Sequence, residues 1–405
     1  MTAARRAASA ITGRLAELRR AGLHRELRTV DASQGPRVSL GGREVLLLCS
    51  NNYLGLADDP RVRRAAAEAA ERFGAGAGAS RLISGTMALH RKLERRLAAF
   101  HRSAAALAFG SGYLANVGTV AALASRGEVV FSDELNHASI IDGCRLSRAE
   151  IFVYRHGDTD HLAWGLARAR GRSALIATDA VFSMDGDVAP LEGLVKLARE
   201  HGCLLMVDEA HAVGALGPGG RGAVAEAGLG GEVDVLVGTL GKALGSYGAY
   251  VCASAEICDL LVNAARTFIF STALPPPAIG AALAALELVR SQPELMQQLR
   301  VNAETLRAEL AACRIDTGSS RTQIIPIIVG DAARTVGLCE RLLARGIYAQ
   351  AIRPPTVPVG TSRLRLAVMA SHRPEELRSA ARQIARMALA LDGAGSHRAP
   401  LDRAA

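Results

Sequence analysis

The sequence is short of aromatic residues, which make up 4% of its 405 positions and include a single tryptophan. Long runs of like charge are missing as well: the formal charge of +9 comes almost wholly from arginine dispersed along the chain. Without a basic tract or a basic patch interleaved with aromatics, a nucleic-acid partner is not expected. Diffuse positive charge instead suits small ligands carrying phosphate or carboxylate groups. No stretch approaches the ~18 uninterrupted apolar residues of a membrane span. The Ala- and Arg-rich N-terminus lacks the apolar centre of a signal peptide. The seven cysteines, from Cys49 to Cys339, are scattered, with no C-x-x-C pair and no Cys/His ligand spacing. That pattern predicts reduced thiols in the cytoplasm and no metal. No internal repeat is present.

What the chain does have is apolar residues, 49% of the total, enough for a large core. A basic amphipathic helix is expected over 11–27, with Leu15, Leu18 and Leu23 on one side. From 90 to 252 short apolar runs recur at 104–109, 128–132, 150–154, 174–178, 204–207, 233–238 and 248–252. Most are separated by helical stretches, the pattern of a mostly parallel α/β sheet covered on both faces. After Leu274-Pro275-Pro276-Pro277 a helical region runs to about 312. Strands at 323–329, 347–352 and 363–368 and two further helices complete a smaller α/β lobe. The expected division is an N-terminal helix and arm over 1–50, a large domain over 51–285, a small domain over 286–392 and a disordered tail over 393–405.

The chemistry-bearing segments fall at or just after strand ends, where such sheets place ligands. Lys242 stands in Gly238-Thr239-Leu240-Gly241-Lys242-Ala243-Leu244-Gly245, one cation among small and apolar residues. Asp208 ends the apolar run of Val207-Asp208-Glu209-Ala210-His211. Taken singly, these read as a snorkelling lysine and a strand-end aspartate. Taken together and in this order they point to pyridoxal phosphate (PLP), which a lysine holds as a Schiff base while an aspartate pairs with the pyridinium nitrogen. A metal held by Asp208, Glu209 and His211 is the competing reading, weakened by the lack of a second ligand set. Phe109-Gly110-Ser111-Gly112-Tyr113 closes a strand and opens a helix, so its amides can receive a phosphate. It is not a dinucleotide fingerprint, because the third glycine and the later ribose-binding acid are absent. His137 can stack on a planar ring, and Ser183, in a Met184-Asp185-Gly186-Asp187 turn, can donate to an anionic ring oxygen. Arg363 and Arg365 share one face of a strand; one is expected to grip a carboxylate and the other to be solvated.

As a set, the lysine motif, Asp208-Glu209-Ala210-His211, His137 and the arginine strand resemble the α-oxoamine synthases, over about residues 11–390. This resemblance implies a fold-type I PLP-dependent transferase: a large domain with a mostly parallel seven-stranded sheet and a smaller C-terminal α/β domain. It implies joining an amino acid to an acyl thioester with loss of CO2. It implies Lys242 as the Schiff-base lysine, Asp208 on the pyridine nitrogen, His137 stacked on the ring, and Ser183 and His211 at its phenolic oxygen. Gly112, Tyr113 and Thr239 then surround the phosphate. Ser271 and Thr272 reach it from a partner subunit, which implies a homodimer. Arg365 would clamp the amino-acid carboxylate, with Asn51 lining the site, and Arg25 and Thr356 would bind the acyl substrate. Arg353-Pro354-Pro355-Thr356-Val357-Pro358 is most like the biotin-pathway branch, implying L-alanine with pimeloyl-CoA or pimeloyl-acyl carrier protein. His24 departs from the tyrosine common in relatives. Other branches, using glycine or serine with another acyl-CoA, are the alternative. A plain aminotransferase would leave Arg25 and Thr356 without a purpose, and a binding protein that had lost catalysis would have no need of Lys242, Asp208 and His137.

Overall fold

A computed structural model describes residues 3–393, and side chains over 10–390. Helix α1 (Ala3–Arg20) opens the chain. It stops seven residues short of the expected end: the Leu23 and His24 amides turn back to the Leu18 carbonyl and Gly22 takes φ 66°. That left-handed conformation suits glycine at a helix end. The apolar stripe of α1 is open to solvent in the single chain, with Ile11 63% exposed.

Strands β1 (Arg37–Leu40) and β2 (Arg43–Leu47) follow as an antiparallel hairpin. Helices α2 (Pro60–Phe73) and α3 (Ala88–His101) lead into the large sheet. Its strands are β3 (Ala105–Phe109), β4 (Val129–Asp133), β5 (Glu150–Tyr154), β6 (Ala174–Asp179), β7 (Leu204–Asp208), β8 (Val235–Thr239) and β9 (Ala249–Ala253). They lie in the order β3-β9-β8-β7-β6-β4-β5, with β9 antiparallel to both neighbours and the other pairs parallel. These seven strands match the seven apolar runs to within a residue or two at each end. Central strands such as β7, Leu-Leu-Met-Val-Asp, are buried along nearly their whole length because helices cover both faces. Between them run α4 (Gly112–Leu123), α5 (Ala138–Ser147), α6 (Thr159–Arg168), α7 (Leu191–His201) and the short α8 (Ala223–Glu226).

After β9 come α9 (Ala255–Ala264), α10 (Arg266–Ile269), α11 (Pro276–Ser291) and α12 (Glu294–Ala312). The helical stretch expected to run unbroken to 312 is thus two helices, parted at Gln292-Pro293, where proline cannot continue the ladder. The remaining lobe holds β10 (Ile324–Gly330), α13 (Ala332–Ala344), β11 (Ile347–Tyr348), β12 (Gln350–Ile352), β13 (Ser362–Ala367) and α14 (Pro374–Gly393). The single strand expected over 347–352 divides between two sheets. β11 runs parallel to β2 of the N-terminal hairpin, whereas β12 runs antiparallel to β13 in the sheet β10-β13-β12. The N-terminal arm is therefore hydrogen-bonded into the C-terminal lobe. α14 ends at Gly393, and the rest of the tail expected from there lies outside the described residues. Among the described residues no helix is long and apolar enough to cross a membrane.

Candidate active site

The carboxyl ends of β3, β4, β6, β7 and β8 lie along one edge of the sheet, and the loops leaving them carry the chemistry. Lys242, three residues past β8, is half-buried, and its Nζ lies 2.8 Å from His211 Nε2. The Nδ1 of that ring lies 2.6 Å from the hydroxyl of Tyr53, which is fully buried. Burial drives His211 well below the ordinary histidine range, reinforced by the positive charges of Lys242, Arg365 and His137. The ring next to the amine is thus neutral. Burial also lowers Lys242, to about 8, against the opposing pull of the Asp208 charge. An amine so placed is partly uncharged near neutrality and can act as nucleophile or base.

Asp208 ends β7, buried, with Oδ2 accepting from Asn116 Nδ2 at 2.6 Å and Oδ1 from the Ala210 amide at 2.8 Å. Asp179 stands opposite it in register at the end of β6. Burial, then the charge of Asp208, raises Asp179 well above the ordinary carboxyl range, so it is the neutral member of the pair. Its Oδ2 accepts the backbone N–H of His137 at 2.6 Å, and the His137 ring is held by Ser139 Oγ, 2.7 Å from Nδ1. Asn116 links the two sides, donating to Ser139 Oγ as well as to Asp208.

Glu209 faces away, accepting the Ala223 and Val224 amides at 2.8 and 2.7 Å at the start of α8. Asp208, Glu209 and His211 therefore point to three different partners, which removes the metal reading of that triplet.

Ser183 lies in a turn closed by Phe182 N–H to Asp187 O at 3.0 Å and Gly186 N–H to Phe182 O at 2.8 Å. Gly186 takes φ 70°, and a Cβ there would stand 2.1 Å from the Ile324 carbonyl oxygen. Gly186→Ala is expected to cost more than ~2 kcal/mol of stability, read as a lower thermal midpoint; an unchanged midpoint would show that the turn is not pinned against β10.

Arg365 projects from β13 to this turn, its Nε donating to the Ser183 carbonyl. Its Nη2 donates to Asn51 Oδ1 at 3.2 Å and to the Tyr53 hydroxyl at 3.4 Å. Arg363 is not the solvated arginine expected of the pair. Both are 6% exposed, because β13 is covered on both faces, and Arg363 is neutralised by Asp185.

At the outer edge Arg25 Nη2 donates to the Pro354 carbonyl at 3.0 Å, and Arg353 grips the Gly22 and His24 carbonyls. Arg25 and Thr356 thus share one turn, both exposed. Gly112 and Tyr113 open α4, capped by Ser111 Oγ, which accepts from the Leu114 amide. The first-turn amides have no helical partner, and beyond the Gly112 Cα lies open space. Thr239 accepts from the Gly241 amide at 3.2 Å and donates to the Gly248 carbonyl. Ser271 and Thr272 lie on a neighbouring rim, where Thr272 bridges to Ser80; among the described residues no hydrogen bond joins either to the Lys242 cluster.

Tyr53, Asn116 and Asp179 were not anticipated. Asp179 carries a signal, since it ends an apolar strand as Asp208 does, and Asn116 interrupts an apolar helix. These residues suit PLP. The Asp208 carboxylate favours the charged form of the Lys242 amine, yet among the described residues the two form no ion pair. Asp208 offers an acceptor to a ring N–H, and the start of α4 offers free amides to a phosphate.

The pattern that defines aminotransferase class I and II matches residues 43–384. An 8-amino-7-oxononanoate synthase of Geobacter sulfurreducens is 56% identical over 381 residues, 93% of this chain and 97% of the relative. The corresponding protein of Citrifermentans bemidjiense is 54% identical over 370 residues, 91% and 95% of the two chains. Among solved structures, a serine palmitoyltransferase from S. paucimobilis with bound PLP–myriocin aldimine superposes with a TM-score of 0.90 at 32% identity, over 95% of this chain and 98% of that one. The 8-amino-7-oxononanoate synthase of Francisella tularensis does so with a TM-score of 0.75 at 27% identity, over 86% and 99%. Likeness this deep and this complete means that the chain belongs to the class I and II aminotransferase family and, within it, to the 8-amino-7-oxononanoate synthases, PLP-dependent acyltransferases.

Proposed function

We propose that this enzyme condenses L-alanine with pimeloyl-CoA, or with pimeloyl-acyl carrier protein, giving 8-amino-7-oxononanoate, free CoA or carrier, and CO2. The observation that carries this reading is the gathering, at the carboxyl ends of the strands, of a low-pKa lysine, a buried aspartate and a buried arginine that reaches Asn51 and the Tyr53 hydroxyl beside His211. Held by Lys242 and Asp208, PLP would supply an electron sink for the negative charge left at Cα when a proton or CO2 departs. Asp208 would keep the pyridine nitrogen protonated, His137 would cover one ring face, and Ser183 and His211 would donate to the phenolic oxygen. Gly112, Tyr113 and Thr239 would receive the phosphate. Arg365 and Asn51 hold the alanine carboxylate, which fixes the Cα–H bond toward Lys242.

Lys242 is the amine that would remove the Cα proton of the bound alanine. The acyl carbonyl carbon then bonds to Cα as its C–S bond breaks, and the departing thiolate takes up a proton from solvent. The Cα–carboxylate bond breaks next, releasing CO2, and Lys242 returns a proton to Cα. Arg25 and Thr356, exposed on one turn, bind the acyl substrate at the edge.

Ser271 and Thr272 complete the phosphate site of a second copy, so the working form is a homodimer. The neighbouring exposed Phe270, Leu82 and Ile83, 70, 51 and 80% open in the single chain, support a covered surface there. Seven free thiols support a cytoplasmic setting.

The test adds L-alanine, glycine or L-serine to the PLP-loaded enzyme, then pimeloyl-CoA, and follows the visible absorption and the release of thiol. Alanine-dependent thiol release more than about tenfold above the other two supports the assignment. Preference for glycine or serine would move the enzyme to another substrate, with serine the choice that the serine palmitoyltransferase likeness favours.

A further inference from the structure

His156 takes no part in the chemistry above, yet it sits at the junction of three strand ends. It follows β5 by two residues. Its Nδ1 lies 3.0 Å from Asp133 Oδ1, at the end of β4, and its Nε2 lies 2.8 Å from Asp187 Oδ2, in the Ser183 turn. A neutral imidazole has one N–H and can donate to one carboxylate only; two acceptors at both nitrogens call for the imidazolium. The ring packs edge-on against Phe182, with centroids 4.3 Å apart, and its backbone N–H donates to Glu134 Oε1 at 2.9 Å.

Other charged groups border this cluster. Asp185 lies on the same turn, Arg363 pairs with it from β13, and the neighbouring Arg155 pairs with Asp158. Asp133 is further tied to the Gly157 and Leu135 amides at 2.9 Å each, so one end of the clamp is rigid. The other end carries Ser183, whose carbonyl receives Arg365.

We propose that His156, as a doubly donating cation, is the positioning residue that holds the Ser183 turn in register and, through the Ser183 carbonyl, aims Arg365 at the amino-acid carboxylate. Asp133 and Asp187 would repel each other across the gap without it; Arg321 and Thr322 tie the turn to the β10 side, and Arg363 ties its Asp185 to β13, but only His156 joins it to the end of β4. Burial pulls the ring toward neutrality, but hydrogen bonds to Asp133 and Asp187, with their charges, overcome it and raise its pKa to about 10. The clamp therefore stays closed across the neutral range.

This inference rests on the proposed role of Arg365, and its test has one arm independent of substrate. In protein labelled with 15N-histidine, the signals lost on His156→Gln identify the ring. They should report protons on both nitrogens at about pH 8, where a free histidine is neutral. In the PLP-loaded enzyme, His156→Gln should raise the L-alanine concentration for half-saturation of the visible absorption change about tenfold. His156→Arg, which keeps a cation with donors in two directions, should recover most of that loss.

A singly protonated ring at about pH 8 overturns the clamp whatever the substrate proves to be. A doubly protonated ring with wild-type alanine saturation in a folded His156→Gln variant overturns the link to Arg365. If wild-type enzyme ignores alanine altogether, it is the substrate assignment that fails, and the ring protonation still decides the clamp.

Discussion

Lys242→Ala is expected to lower turnover about ten-thousandfold, since the proposed mechanism uses this one side chain as cofactor anchor, base and acid. The same substitution should leave the fold intact or make it more stable. The amine is held at about 8, against 10.5 for an ordinary lysine, because burial penalises its charged form. A base whose pKa is depressed on folding binds fewer protons in the native state than in the unfolded one, so stability rises with pH between the two values. In the wild-type protein the penalty is full below about 8 and vanishes above 10.5. The difference in stability between Lys242→Ala and wild type should therefore be largest at neutral pH and shrink as pH rises toward 10.5. Chemical denaturation at several pH values measures it, alongside thiol release from pimeloyl-CoA. Retained product formation in pure Lys242→Ala would sink the assignment of this lysine, and a pH-independent stability difference would show that the amine is not held in a depressed state.

How much of this was legible in the chain depends on whether the signal is local. The seven strands of the large sheet could be read because each is a short apolar run buried by helices on both faces, and burial on both faces leaves a continuous apolar string. The placing of Lys242, Asp208, Ser183 and His137 along one edge of the sheet could be read because each ends or follows such a run. The division of 347–352 between two sheets could not, because nothing inside that hexapeptide separates the two residues that pair with β2 from the three that pair with β13. The choice is made by partners some 300 residues upstream and about a dozen residues downstream. Arg363 was misjudged for a related reason: alternation placed it on a face, but only the turn after β6 supplies Asp185 to neutralise it. Tyr53 and His156 are ordinary residues in sequence. Their weight comes from the register that sets Tyr53 beside His211 and brings Asp133 and Asp187 to the two sides of one imidazole.

The same dependence on surroundings gives two isosteric substitutions opposite expected outcomes. Asp208 and Asp179 are both buried, face each other in register and end apolar strands. Asp208 is bonded by an amide N–H and an asparagine, and its negative charge raises both Asp179 and Lys242. Asp179 is held neutral by burial and by that same charge, and its bond to His137 N–H needs only an oxygen acceptor. Asparagine in place of Asp179 keeps the oxygen and alters no charge, so turnover should stay within about threefold of wild type. Asparagine in place of Asp208 keeps the shape and removes the charge that, in the proposed mechanism, would keep the pyridine nitrogen protonated and the ring able to accept electrons. Exchange of the alanine Cα proton with solvent should fall at least about a thousandfold, while PLP, still anchored at Lys242 and the start of α4, remains bound. The exchange rate followed by NMR in deuterium oxide, with PLP content from absorbance, separates loss of chemistry from loss of cofactor. Wild-type exchange in Asp208→Asn would contradict its role at the nitrogen. A loss in Asp179→Asn as deep as that in Asp208→Asn would show that the second carboxylate is charged too, and that the ordering of the pair drawn from burial and proximity is wrong.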